Sequence, residues 1–348
     1  MPTNVVNIRI QVLLMSVALA FSAFLSGINA RGQNLYVSDY GYIAQFTPTG
    51  LGTAVASESE LGTDGPLGIA FNNSGELFVC AYTNILEINT NGAVSVFANG
   101  LTGTNPIALA FNSSGTLFAS TYNSYTGIGY IIRFNSDGSR TTFASDLSNP
   151  IGLAFDSAGN LFEADAYSDT IYKFTPTGVQ STFASGLNVP EGLAFNSSGN
   201  LFEADFESGN IYEFTPSGAK STFASGLNYP IGLAFNSSGD LFVGQDGAGS
   251  VTYIMEITPA GITNSFGPKI VDPWGLAFYP TPPNLKAASL ARQVQVSVSM
   301  PSPYYSTVIQ ASTNLINWVS VYTNTPAFIY TDSITSFSRR FYRATLIQ

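Results

Sequence analysis

Along most of the chain, short apolar segments alternate with turn residues at a fixed interval. The phrase Gly-Leu-Ala-Phe, or a close variant, occupies 68–71, 108–111, 152–155, 192–195, 232–235 and 275–278, and its closing phenylalanines lie 40, 44, 40, 40 and 43 residues apart. Within 190–226 one period resolves into four apolar segments, Gly192–Phe195, Leu201–Asp205, Ile211–Thr215 and Lys220–Ser225. The breaks between them are rich in Asn, Ser, Gly and Pro, which supply the dihedrals of tight turns. Four short strands per forty residues predict a β-propeller with one blade per repeat. Alternation puts Leu193 and Phe195 on one sheet face and Gly192 and Ala194 on the other. Gly and Ala are therefore expected where inner strands of adjacent blades crowd together. The stripe of Tyr172, Phe174, Tyr212 and Phe214, with Phe143, Phe183 and Phe223, is expected to pack between blades.

Six segments read as second strands, from Leu35-Tyr36-Val37 to Leu241-Phe242-Val243, while the sixth Ala-Phe phrase at 277–278 reads as a first strand. The expected fold is thus all-β: a six-bladed β-propeller of four-stranded blades over 31–279, its ring closed by N- and C-terminal strands. A Pro-rich linker at 280–287 leads to 288–348, where alternating stretches such as Val294–Ser299 predict a small β-sandwich. Residues 1–30 combine Arg9, an apolar run from Val12 to Leu25 and a small residue at Ala30, the layout of a secretory signal peptide. That run is too short for a spanning helix and no second one follows. The expected location is outside the cytoplasm: secreted, periplasmic or at the cell surface.

Charge and composition narrow the partners. Residues 31–284 hold six basic and 21 acidic side chains, a net −15, whereas 285–348 hold five basic and one acidic, a net +4. An acidic body excludes nucleic acid, whose affinity rests on counterions displaced by basic surfaces. Cys80, the one cysteine, is expected to be a small buried hydrophobe. The chain has no histidine, which removes the Ser-His-Asp triad and histidine-ligated zinc.

The unit Pro-Glu-Gly-Leu-Ala-Phe-Asn-Ser-Ser-Gly-Asn-Leu-Phe-Glu-Ala-Asp at 190–205 resembles an NHL repeat and is similar to the repeat of the SMP-30/gluconolactonase group. That group's propellers hold a divalent metal at the channel through Glu, Asn and Asp side chains, and the metal polarises a lactone carbonyl. The resemblance implies a metal role for Glu191 alone, since the group's asparagine ligands and catalytic aspartate match no definite positions here. The absence of histidine sets the chain apart from the virginiamycin B lyase and paraoxonase types. In the tail, Ala311-Ser312-Thr313-Asn314-Leu315-Ile316-Asn317-Trp318 resembles a C-terminal module of secreted planctomycete and verrucomicrobial proteins, which implies a bacterial exported protein.

If the turn before each Gly/Ala phrase and the loop after each second strand share one face, that face carries the candidate site. The positions preceding the phrase are Leu67, Ile107, Ile151, Glu191, Ile231 and Trp274, so Glu191 is the lone acid at the channel mouth. Asp39, Asp165, Asp169, Asp205, Glu207 and Asp246 gather around it, with the longest loop, Tyr122 to Gly129. Carboxylates at an axial channel suit a hard cation such as Ca²⁺. Asp165 and Asp205 also fit turn caps, and Glu163 and Glu203 fit ion pairs with Lys173 or Arg133. The candidate ligand-binding residues are Glu191, Asp165, Asp205, Asp39, Trp274 and Tyr122. Two functions follow: a binding module for a protein, glycan or small molecule, or a metal-dependent lactone or ester hydrolase with Glu191 as ligand. The uniformity of the repeats favours the first; a structural role in a cell-surface assembly shades into it.

Overall fold

The computed structural model describes residues 33–63, 65–101, 105–123, 125–247 and 251–280 with their side chains, and elsewhere only the backbone of seven strands in the terminal segments. The chain divides into two compact units, Gly32–Pro280 and Met1–Arg31 with Thr281–Gln348.

The first unit is a ring of six four-stranded antiparallel sheets whose innermost strands contact one another in turn. Blade 1 is built from Leu276–Phe278, Leu35–Asp39, Tyr42–Phe46 and Gly52–Ser57, so the last strand of the ring completes the first blade. Blade 2 begins at Pro66–Phe71, blade 3 at Asn105–Phe111, blade 4 at Pro150–Phe155, blade 5 at Pro190–Phe195 and blade 6 at Pro230–Phe235. Closure is fastened by three backbone bonds beyond the ladder: Ser38 N–H to Gly275 O, Trp274 N–H to Ser38 O and Tyr279 N–H to Asn34 O.

Repeat periodicity becomes packing through a recurring aromatic triad. The phenylalanine of each second strand stands edge-on between one from its own fourth strand and one from the next blade's first strand. Phe118 meets Phe143 and Phe155, Phe162 meets Phe183 and Phe195, and Phe202 meets Phe223 and Phe235, with ring centroids 4.9–5.1 Å apart. Edge-to-face pairs at this spacing add to the burial of their area. Blade 1 departs from the rule: Tyr36 takes the central place against Phe71 and Tyr279.

The glycines answer a tighter constraint than a bulky neighbouring face. A Cβ on Gly152 would stand 2.0 Å from the carbonyl oxygen of Glu191, one on Gly192 2.0 Å from that of Ile231, and one on Gly232 2.2 Å from that of Trp274. Each blade's glycine thus seats the backbone of the next blade's channel residue. Blade 3 has Ala108 instead, and there Ser120 intervenes: its hydroxyl accepts from Ala108 N–H at 3.1 Å and donates to Ile151 O at 2.7 Å.

In the second unit, Asn284–Leu290, Gln293–Ser299 and Phe328–Ser333 form one antiparallel sheet, and Ile10–Leu13, Arg339–Ile347, Ser306–Ser312 and Val319–Asn324 form another. Its first C-terminal strand starts at Asn284, inside the stretch that composition reads as linker. Most of the leader-like segment and Thr313–Trp318, the larger part of the tail string, lie outside the described residues.

Candidate functional site

The register sets the site's geometry. Pro66 pairs with Ala81, Pro150 with Asp165, Pro190 with Asp205 and Pro230 with Gln245, so each entry turn and each loop after a second strand lie on one face. In all four blades the ladder then slips before the next paired residue, at Ile69, Leu153, Leu193 or Leu233. Such a bulge re-aims the residue it frees; here these are Leu67, Ile151, Glu191 and Ile231. A cavity of about 100 Å³ opens on the axis, lined at this level by Ile107, Ile151, Glu191, Ile231 and Trp274. Glu191 carries the one ionisable side chain in that lining. It is 6 % exposed, and its Oε2 has no hydrogen-bond partner. Burial, helped by the neighbouring charge of Asp246, pushes its pKa up to about 8.

The other expected residues do different work. Asp165 Oδ2 accepts from Ser148 N–H at 2.7 Å, and its Oδ1 accepts from Asn149 and Ser168 N–H. Asp205 Oδ2 accepts from Asn188 N–H at 2.8 Å, and Gln245 Oε1 takes Asn228 N–H in the same way. These three side chains hold the crossovers between blades, the capping work that the sequence allows for. Asp39, 1 % exposed, accepts from Tyr40 N–H at 2.7 Å and bonds Tyr42 and the Val271 backbone; burial nonetheless raises its pKa. Trp274 lines the cavity with Glu191. Tyr122 lies within the strand Leu117–Asn123, paired with Gly129 and Asn105, and its ring stands edge-on to Tyr167. The anticipated long loop from Tyr122 to Gly129 narrows to a turn, because Tyr122 and Asn123 pair with Gly129 and Ile128 and blade 3 spends part of its extra residues on longer strands. Cys80 is wholly buried, and burial raises its thiol pKa.

Glu163 and Glu203 correct an expectation. Both are fully buried with all four carboxyl oxygens unpartnered, not paired with cations. Lys173 instead lies 3.7 Å from Asp156 and over the ring of Phe162. Burial, with Asp165 or Asp205 nearby, holds both glutamates well above the ordinary carboxyl range.

One group escaped the sequence reading. The turns beyond the second strands raise Tyr40, Tyr82, Tyr125 and Tyr167, each more than 60 % exposed. Phe206 and Tyr229 add a tilted ring pair on the same face, with centroids 4.9 Å apart. The signal was an aromatic recurring just past the second strand, visible only once the strand ends are aligned.

The donor set around the channel does not fit a divalent cation. Ca²⁺ takes six to eight oxygens and compact divalent sites several side-chain ligands; here the lining supplies a single carboxylate among Ile, Leu, Trp, Gly and Ala. Among the described residues no three His, Cys, Asp or Glu side chains converge to hold a metal.

Residues 29–245 match the family described as SMP-30/Gluconolactonase/LRE-like region. The chain belongs to that family. Solved structures share the family's propeller fold at low identity. A chain of a nidogen/laminin complex is 20 % identical, with a TM-score of 0.61 over 71 % of this chain and 98 % of that one. A gluconolactonase from Xanthomonas campestris is 16 % identical, with a TM-score of 0.52 over 59 % and 75 %. Regucalcin, a calcium-binding protein from Agrobacterium tumefaciens, is 16 % identical, with a TM-score of 0.52 over 70 % and 92 %. No curated protein sequence matches the chain. This member of the SMP-30/gluconolactonase family therefore keeps the propeller and places one acid in an otherwise apolar channel. No helix among its described residues is long and apolar enough to cross a membrane.

Proposed function

We propose that the chain is an exported binding propeller whose channel-mouth face recognises a protein, glycan or small-molecule ligand. One observation carries the reading: Glu191 is the single ionisable group in the channel lining, where hydrolysis through a metal needs several unlike ligands around the axis. The exposed tyrosines around that mouth support recognition, since amphipathic aromatics anchor binding surfaces at low entropic cost. Export rests on the leader-like composition of residues 1–30. The competing reading, a metal-dependent lactone or ester hydrolase, shares the same channel and is separated by one experiment. Calorimetry of the full chain with Ca²⁺, Mg²⁺, Mn²⁺ and Zn²⁺, with Glu191→Gln as control, is expected to show no Glu191-dependent binding and no metal-stimulated lactone turnover. Micromolar metal binding lost in Glu191→Gln, together with lactone hydrolysis, would overturn the binding reading.

A further inference from the structure

Resting on that binding reading, we infer the chemistry of the ligand: the channel mouth takes a primary alkylammonium group, borne by a free amine or by a lysine side chain. A buried carboxyl oxygen without a partner is costly unless something arrives to bond it. Glu191 Oε2 is such an atom, on a side chain that is 94 % buried and lines the cavity. The walls beside it are Ile107, Ile151 and Ile231, which suit an aliphatic stem, and Trp274 offers an aromatic ring of the kind that attracts a cation. A cavity of about 100 Å³ accepts a narrow chain.

The surrounding field has the matching sign. Asp246 lies near Glu191, and Asp39, Asp165, Asp205, Glu207 and Asp272 belong to the same face. Among the propeller's described residues the cations are elsewhere: Arg133, Arg140, Lys173 and Lys220 occupy the far ends of their strands, opposite the mouth. Lys269 is the exception, and it sits on an outer strand with its ammonium over Tyr253. A neutral acceptor would satisfy a protonated Glu191 but would leave this acidic rim unmatched; an ammonium answers both.

The test is titration of the full chain at pH 7 with n-butylammonium, n-butanol, a lysine tripeptide and its norleucine counterpart, read by calorimetry in two buffers of different ionisation heat and by tryptophan fluorescence. n-Butylammonium is expected to bind with release of close to one proton, because its charge converts Glu191 to the carboxylate. n-Butanol should bind at least about tenfold more weakly. Glu191→Gln should weaken the ammonium about thirtyfold or more and abolish proton release, with the thermal midpoint showing that the variant is folded. Trp274→Phe should silence the fluorescence change while heat remains. A lysine peptide binding tighter than n-butylammonium assigns the source to a polypeptide; equal or weaker binding assigns it to a free amine. If n-butanol or the norleucine peptide binds as well as its charged counterpart, or if no ammonium binds, this inference fails. The recognition reading falls instead by the metal and lactone result.

Discussion

Val189 has a φ of 60°, a left-handed backbone that β-branched side chains avoid, and it precedes Pro190, which restricts it further. Tyr229 at 47° and Asp272 at 46° hold the same pre-proline place in the following repeats, so the entry turns to the channel are strained in series. Asp169 Oδ1 accepting Val189 N–H at 3.1 Å helps to hold that turn. Asn tolerates this conformation, so Val189→Asn is expected to stabilise the fold by about 1 kcal/mol, read as a higher denaturation midpoint. An unchanged or lower midpoint would show that the turn carries no strain. One residue along, the constraint is space. Gly192→Ala puts a methyl 2.0 Å from Ile231 O and should cost about 3 kcal/mol or more in denaturant unfolding. The change that succeeds in nature, Ala108, comes with the Ser120 hydroxyl bridging the same junction.

At the scale of the element, the second strands repeat a buried position filled by Val37, Val79, Ala119, Glu163, Glu203 and Val243. Two carboxyl groups stand where the sibling blades bury valine or alanine. Their pKa values are raised, so the folded state holds protons that the unfolded chain gives up at lower pH. Stability from this source is complete below the ordinary glutamate range and is lost as pH rises through the folded values. The double variant Glu163→Val/Glu203→Val is therefore expected to melt higher than the parent at pH 8, with a smaller gain at pH 5. A gain independent of pH would mean that the two carboxyls are satisfied in solution by groups other than their own protons.

For the whole molecule, the ring depends on one short closing strand. Ending the chain after Pro273 removes Leu276–Phe278 and the bonds from Trp274 and Tyr279, opening the inner edge of blade 1. That truncation is expected to abolish a single cooperative unfolding transition, as followed by calorimetry. Glu191 adds a second global property. Its pKa rises from 4.5 to about 8 on folding, so its share of stability is present below pH 4.5 and gone above pH 8. Between those limits the thermal midpoint of Glu191→Gln should decline less with pH than that of the parent. Parallel curves would place Glu191 in contact with solvent.

The blade count, the strand order within a blade and the closing strand were legible in the sequence because they follow from local periodicity: alternation within four to eight residues and turn residues at fixed offsets. Glu191 was legible for a related reason, as the one acid at a position where the other repeats carry Leu, Ile or Trp. What periodicity does not encode is which groups different blades bring together. Asp165 and Asp205 reach backbone N–H groups of the crossover 17 residues earlier in the chain. Glu163 and Glu203 face the inter-blade core, where no cation pairs with them, although strand alternation alone allows a paired position. The tyrosines of the mouth come from turns separated by roughly one repeat each and form a set only when the ring closes. The sequence by itself determined the propeller, since each blade is a local object. Tertiary structure alone decided the protonation, partners and exposure of its acids and tyrosines, since these depend on the field and packing of neighbours distant along the chain.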